Sequence, residues 1–304
     1  MDSGSSTSDV TIVGGSYAGL SAALQLARTR RPIVVVDGGV RRNRFAHESH
    51  GLIGQDGRDP AAIAAAARAD LMKYPSLRWI DGLALEAAVS GDGFTVGLDN
   101  DERLATRRIV LAPGVIDTLP KIEGLAARWG TSVFHCPYCH GYELNRGRLG
   151  VIAAGPHSYH QAVLLPEWGQ VTLFTNGVFT PDAAQHADLE RRGVIIETAP
   201  VARVVDTATI ALEDGRQFVF DGLFTATHTH VATPLPQQLG CALEESPLGS
   251  FIRTDALKAT TVPGVFACGD AARGAGTVAL AVGDGAQAGL SAHRSLVFGT
   301  WTVD

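Results

Sequence analysis

The segment DVTIVGGSYAGLSAALQLARTRRPIVVVDGG restricts the possible folds of this chain more than any other. Val10 to Val13 is an apolar run of strand character, and Ala18 to Ala27 repeats small and apolar residues as a helix packed on a sheet does. A second apolar run, Ile33 to Val36, ends at Asp37, which completes a β–turn–α–β unit with an acid at the end of its second strand. At the turn, Gly14-x-Ser16-x-x-Gly19 departs from Gly-x-Gly-x-x-Gly in the middle, where glycine lets the backbone approach a pyrophosphate at the helix N-terminus. Serine is the next smallest choice, and its hydroxyl can donate to phosphate. Asp37 lies 18 residues beyond Gly19, close to the spacing of an acid that binds a ribose hydroxyl. A tight turn with no ligand would explain the glycines alone. The strand, the helix and the acid together favour a dinucleotide.

Further along, AAIAAAARAD over residues 61–70 is helical by propensity, and RRIVLAPG (Arg107 to Gly114) is a short buried strand running into a turn. RLGVIAAG (Arg148 to Gly155), a helix and the strand QVTLFTNG form a second, decayed copy of the opening pattern. Short alternating stretches follow. The segment from Val262 to Leu296 then predicts a strand, a Gly-Asp turn and a long Ala/Gly-rich helix. Two such units in 304 residues fit about two domains at roughly 150 residues each. The distant Gly-Asp segment implies that the first domain is discontinuous and closes after the second is inserted. The fold expected is α/β, with two Rossmann-like three-layer dinucleotide-binding domains. One comprises residues 1–115 and 244–304, and the other residues 116–243.

FHCPYCHGYE, Phe134 to Glu143, holds two of the four cysteines as Cys136-x-x-Cys139, with His140 directly after. Such a string fits a zinc half-site, a c-type haem attachment or a thiol–disulfide exchange centre. Structural zinc needs about four ligands, and Cys241 and Cys268 are single and far apart in sequence. Haem attachment normally accompanies export. Thiol exchange needs a thiolate and a partner cysteine within reach, and Cys-x-x-Cys at a helix start supplies both. Pro137 suits the restricted turn. An imidazole of ordinary pKa, near 6.5, moves protons near neutral pH, so His140 predicts a pH dependence centred between about pH 6 and 8. His47 and His50 in FAHESHG are the next candidates for the proton shuttle.

A net charge of −6 carries no nucleic-acid footprint. No run of 18 apolar residues predicts a membrane span. MDSGSSTSDV has neither a basic n-region nor an apolar h-region and is expected to be a frayed tail, so a cytoplasmic protein is expected.

In combination and order, VGGSYAG, VLAPG, the Cys pair, the second glycine turn, GVFACGD and GTVALAVGDGAQAGLSAHRSL resemble the low-molecular-weight thioredoxin reductases over nearly the whole chain. The resemblance implies non-covalent FAD and a homodimer. It places Gly14, Gly15, Ser16, Tyr17, Ala18 and Gly19 along the FAD pyrophosphate and Asp37 with Gly38 at the adenosine ribose. It also puts Arg44, Ala112, Gly114 and Gly269 at the cofactor, Asp270 at its ribityl or phosphate region, and Thr277, Val278 and Ala279 at the flavin ring. Cys139 would lie against the flavin, and Cys136 would exchange with substrate. No metal is implied.

Three departures bear on function. The acid after the second cysteine is replaced by His140. The first glycine of the nicotinamide turn is replaced by Ala153. The strand ending at Phe174 is followed by Thr175, Asn176 and Gly177, where the family has a cluster of cations for the NADPH 2′-phosphate. Two missing charge-assisted bonds, each worth roughly 1.5–3 kcal/mol, weaken binding by about two to four decades. NADPH is therefore not expected to bind. CPYCHGYE with this eroded site resembles the FAD-dependent dithiol oxidases of gliotoxin- and holomycin-type biosynthesis. These close a disulfide in a small-molecule dithiol and pass the electrons to O2, giving hydrogen peroxide. The alternative is a disulfide reductase fed by NADPH or another donor, and a flavin-binding redox sensor is the non-enzyme rival.

Overall fold

A computed structural model describes residues 6–299. The opening strand β1 (Ser6–Val13) runs into helix α1 (Tyr17–Ala27) and strand β2 (Ile33–Asp37). Helix α2 (Pro60–Leu71) and strand β3 (Leu77–Asp81) follow, then a meander of β4 (Ala84–Ser90), β5 (Gly93–Leu98) and β6 (Arg103–Leu111). The strands form one sheet in the order β3-β2-β1-β6-β5-β4, parallel from β3 to β6 and antiparallel thereafter. Its apolar runs are buried on both sides, as a sheet covered on two faces requires. Ile33, Val35 and Val110 enter one core cluster with α1, whereas Val34, Val36, Ile109 and Leu111 enter another on the opposite face.

The polar N-terminus differs from expectation. Ser6, Thr7 and Ser8 pair with Leu104, Ala105 and Thr106, and the buried Ser8 hydroxyl bonds Thr106 Oγ1 at 3.1 Å. Pairing with β6 satisfies this backbone, so the strand begins well inside the expected tail. Met1–Ser5 lies outside the described residues.

The chain crosses to the second unit through β7 (Val115–Thr118). That unit contains β8 (Val133–Phe134), the short helix α3 (Pro137–His140), β9 (Arg148–Ile152), α4 (Ser158–Leu164), β10 (Gln170–Phe174), α5 (Ala183–Arg191) and β11 (Ile195–Glu197). A three-stranded antiparallel meander, β12 (Val201–Val205), β13 (Thr209–Leu212) and β14 (Gln217–Val219), precedes β15 (Gly222–Thr225). The central sheet, β11-β10-β9-β15-β8, is parallel throughout. The return strand β16 (His228–Val231) lies antiparallel to β7. Helix α6 (Leu235–Leu239), β17 (Leu243–Ser246) and β18 (Gly249–Ile252) come next. Val231, Leu235, Leu239 and Cys241 bury with Leu111 and Val265 of the first unit.

Strand β19 (Val265–Ala267) then pairs with Ile109–Leu111 of β6, and helix α7 (Val278–Phe298) packs on α1. The two helices nearly touch. A Cβ on Gly285 would sit 2.0 Å from Ala18 O, and one on Gly289 2.6 Å from Ala22 O. Gly283, on the exposed side of the same helix, has nothing within 4 Å of its added Cβ.

The two glycines give opposite expectations for one substitution. Gly283→Ala should stabilise by up to about 1 kcal/mol through helix propensity. Gly285→Ala should destabilise by about 1–3 kcal/mol, because backbone must move to admit the methyl group. Thermal unfolding midpoints shifting in opposite directions are the expected result.

Candidate active site

The first glycine turn is built by close backbone contact. Gly14 has φ +101°, and a Cβ there would lie 2.1 Å from Ala112 O; one on Gly19 would lie 1.8 Å from Gly14 O. Only glycine fits either position. Ser16 is the N-cap of α1, yet its side chain makes no capping bond and the first turn carries no acid. The first-turn N–H groups thus keep their donor capacity and the positive end of the helix dipole. Asp37 Oδ1 accepts from Gly15 N and Gly39 N, each at 3.1 Å, which fixes the carboxylate beside the turn. Trp79 and Asp37 flank Gly15 so closely that a Cβ would sit 2.6 Å from either.

Residues remote in sequence converge here. Ala112 N donates to Val13 O at 2.8 Å and Cys268 N to Leu111 O at 3.0 Å, while a Cβ on Gly269 would meet Ala18 Cβ at 2.8 Å. The loop from Arg41 to Asn43 closes over Tyr17, whose hydroxyl donates to Pro60 O and accepts from Asn43 Nδ2. Arg41 Nε and Asn43 Oδ1 are buried and have no hydrogen-bond partner. An uncapped helix start, a glycine cradle and unpaired buried polar atoms fit an anionic dinucleotide such as FAD.

The other expected cofactor residues are spread more widely. Gly38 packs on Leu83, and Gly114 holds φ +72° just before β7. Arg44 folds back on its own loop, bonding Arg41 O at 2.9 Å and stacking over Phe45. Thr277 caps α7, accepting from Leu280 N at 3.2 Å, with Val278 against the core and Ala279 beside it in the first turn. Asp270 accepts from Arg42 Nη1 at 2.9 Å.

Sequence reasoning missed Arg42. Its guanidinium also forks onto Asp117 of β7, at 2.8 and 2.6 Å, and Asp117 accepts from Thr227 Oγ1 at 2.7 Å. Burial opposes the guanidinium charge, but Asp117 and Asp270 outweigh it and hold Arg42 above its ordinary pKa. Burial alone would raise the Asp117 carboxyl, and the Arg42 fork keeps it lowered instead. His135 faces the same cluster. Burial and then the Arg42 charge lower its pKa, and its buried Nδ1 has no hydrogen-bond partner.

Cys136 and Cys139 are joined as a disulfide, with Cα atoms 5.3 Å apart. Cys136 is the N-cap of α3, and Pro137 is the first helical residue, where a missing N–H costs nothing. Gln161 of α4 donates to His135 O at 2.9 Å, and Trp168 packs against Gly141, so both ends of the redox turn are held. Cys241 and Cys268 are buried in separate cores. Burial raises both thiols, Cys268 to about 12, which leaves them little thiolate.

His140 stacks on Phe134 with ring centroids 4.3 Å apart. Burial and then the charge of His50 lower its pKa to about 4. The pH dependence expected between about 6 and 8 therefore does not belong to His140 in this conformation, because a half-buried imidazole on a phenyl face resists charging. His50 is half-buried, and His47 is exposed. His50 Nε2 lies 3.4 Å from Glu143 Oε1 of the turn that follows His140.

The second glycine turn is closed on itself. Ala154 N donates to the buried Ser158 Oγ at 3.0 Å, and Asn176 Oδ1 accepts from Val201 N at 2.9 Å. Arg216, distant in sequence, reaches the end of β11 beside Phe174. There its guanidinium is shared between Glu197, at 2.5 and 3.1 Å, and Asp214, at 2.7 Å. One cation against two carboxylates leaves no net positive charge for a phosphate dianion.

Comparison with known proteins gives a consistent result. The profile of the pyridine nucleotide-disulphide oxidoreductase family matches residues 8–285. "Thioredoxin reductase tcpT" of Claviceps purpurea is 32% identical over 310 aligned positions, covering 95% of this chain and 94% of that protein. The solved structure of an oxidoreductase from Agrobacterium tumefaciens superposes with a TM-score of 0.94 at 53% identity, covering 96% and 99% of the two chains. HlmI superposes with a TM-score of 0.88 at 34% identity, covering 98% and 94%.

The buried imidazole makes stability depend on pH with a definite sign. The unfolded chain takes up a proton near pH 6.5, whereas native His140 resists protonation down to about 4, so stability falls as pH drops through that window. Allowing for partial exposure, the loss is about 1–3 kcal/mol. His140→Gln should flatten that part of the stability–pH curve, measured by unfolding midpoints at pH 4.5 and 7.

Proposed function

The chain belongs to the pyridine nucleotide-disulphide oxidoreductase family, as a thioredoxin reductase-like FAD-dependent thiol–disulfide oxidoreductase, and within that family we propose that it is a dithiol oxidase. It closes an intramolecular disulfide in a small-molecule dithiol of the gliotoxin or holomycin type, with O2 as final acceptor and without NADPH. The observation that carries this reading is the contrast between the two glycine turns. The first keeps its helix N–H groups uncapped, and the second spends Ala154 N–H on Ser158 and neutralises Arg216 with two carboxylates. This contrast supports a cofactor site at the first turn and argues against a nicotinamide donor, whose 2′-phosphate needs a cationic seat.

In the proposed reaction, a substrate thiolate attacks Cys136 Sγ and displaces Cys139 as a thiolate. The S–S bond of the protein breaks as a mixed disulfide forms. The second substrate thiol gives its proton to neutral His140 and attacks the substrate sulfur of that mixed disulfide. A cyclic disulfide leaves, and the cysteine pair retains two electrons. The start of α3 favours the Cys136 thiolate as leaving group. Gly14–Gly19, Asp37 and the Gly269–Asp270 turn would hold FAD, which would supply the two-electron acceptor for the reduced cysteine pair, with O2 as final oxidant and hydrogen peroxide as its product.

A disulfide reductase uses the same fold and cysteines in the opposite direction. The name of the Claviceps purpurea relative favours that second reading. Anaerobic stopped-flow reduction separates the two. A small dithiol should bleach the flavin rapidly, and millimolar NADPH should do so slowly. Cys136→Ser and Cys139→Ser should each abolish dithiol-dependent bleaching while retaining FAD. Fast, saturable bleaching at micromolar NADPH would give the reductase reading the case.

A further inference from the structure

The loop that follows β2 touches both units. On the cofactor side, Asn43 Nδ2 donates to the hydroxyl of Tyr17, the first residue of α1, at 3.1 Å, and Arg42 Nη1 donates to Asp270 at 2.9 Å. On the other side, Arg42 forks onto Asp117 of β7, the strand by which the chain crosses to the inserted unit. Thr227 Oγ1 donates to the same carboxylate at 2.7 Å, just beyond the end of β15, where the chain leaves the inserted sheet. One guanidinium therefore joins the outward crossing, the return crossing and the Gly269–Asp270 turn. The Asp117 side chain is 8% exposed, so salt screens the fork little.

The same loop meets both ends of the segment that carries the redox turn. Phe45 lies on Gly130, where an added Cβ would sit 2.7 Å from Phe45 Cβ, and His50 Nε2 lies 3.4 Å from Glu143 Oε1. Cys136 and Cys139 fall between these two contacts in the chain. His135, the residue before Cys136, lines one small cavity together with Arg42 and Asp270.

In the proposed function the reduced pair must re-form its S–S bond. The Cys136 thiol gives up its proton, and that proton and the electron pair of the two sulfurs pass to FAD. Such a step depends steeply on how the reacting groups are placed. Resting on that electron transfer, which the oxidase and reductase readings share in opposite directions, we infer that Arg42 and Asp117 are positioning residues, which fix the Cys136–Cys139 turn against the cofactor turn. The fork is what matters: a lysine keeps the charge but cannot hold Asp117 in two bonds while bridging to Asp270.

The test mixes FAD-loaded protein with dithiothreitol under anaerobic conditions and follows two signals. Quenched alkylation with mass spectrometry reads reduction of Cys136–Cys139, and flavin absorbance reads the onward step. Asp117→Asn should retain FAD and reduce its cysteine pair at the wild-type rate, yet bleach the flavin about 10–100-fold more slowly, so that reduced pair accumulates beside oxidised flavin. Arg42→Lys should show the same split. A ground-state signature needs no turnover: in Cys136→Ser the Cys139 thiolate against the flavin should give a long-wavelength absorption band, and adding Asp117→Asn should weaken it. Wild-type bleaching in both variants would overturn the positioning role and leave the proposed function standing. Equal slowing of disulfide reduction and bleaching would overturn it too, because damage to the redox turn itself slows both. Loss of FAD from Asp117→Asn would also overturn it, by placing Asp117 in the cofactor site. A wild-type protein whose pair is reduced while its flavin stays oxidised would overturn both the inference and the function on which it rests.

Discussion

The pairing of β6 is the constraint on which the rest of this molecule depends. β1 lies along one side of it, while the other side is divided between β5, opposite Arg103–Thr106, and β19, opposite Ile109–Leu111. A strand with two successive partners on one side draws in a segment from the far end of the chain. That segment ends at Cys268, bonded to Leu111 O, so Gly269 is set against Ala18 at the start of α1. The cofactor cradle is thus a product of sheet register: a one-residue slip of β19 would exchange its two faces and carry Asp270 away from Arg42.

The two nucleotide-type turns show how one topology serves different chemistry. In the outer unit, glycines at positions 14 and 19 let strands and helix approach until no side chain fits between them, and the polar groups of the helix start remain outward donors. In the inserted unit, alanine and a buried serine fill the corresponding region, and its hydrogen bonds are internal. The fold of the inserted unit is kept, but its exposed charge is balanced within the protein. Its clearest chemical feature is therefore the redox turn at α3, steadied from α4 through Gln161 and from the rear by Trp168.

Most of the frame was legible because it is written in local patterns. The run from Val10 to Asp37, the helix near residues 61–70, the strand ending at Leu111 and the Ala/Gly-rich α7 all follow from periodicity and turn residues. The pairing of Ser6–Ser8 was not legible, since polar residues enter a strand only when a partner edge is already present. The burial of Val231 and Leu235 with Leu111 and Val265 was not legible either, because nothing local distinguishes them from residues packed in the inserted sheet. In the site, the Cys pair and His140 were visible as a string. The state of His140 was not, since its burial against Phe134 is set by the fold. Arg42 gave no signal at all: its partners Asp117 and Asp270 are brought to it only by the completed fold.

The divided side of β6 also sets an order of assembly during synthesis. Every strand of the inserted sheet lies between Val133 and Thr225, so that sheet can close as soon as β15 emerges. The unit that begins the chain must wait for Val265, and its glycine-to-glycine helix contact must wait for α7. At a ribosomal rate of about 5–20 residues per second, the edge at Ile109–Leu111 stays unpaired for roughly 10–30 seconds after it is made. The first domain encoded is the last to finish, and through that interval an open apolar strand edge is the part of the nascent chain most exposed to mispairing and most in need of a holding chaperone.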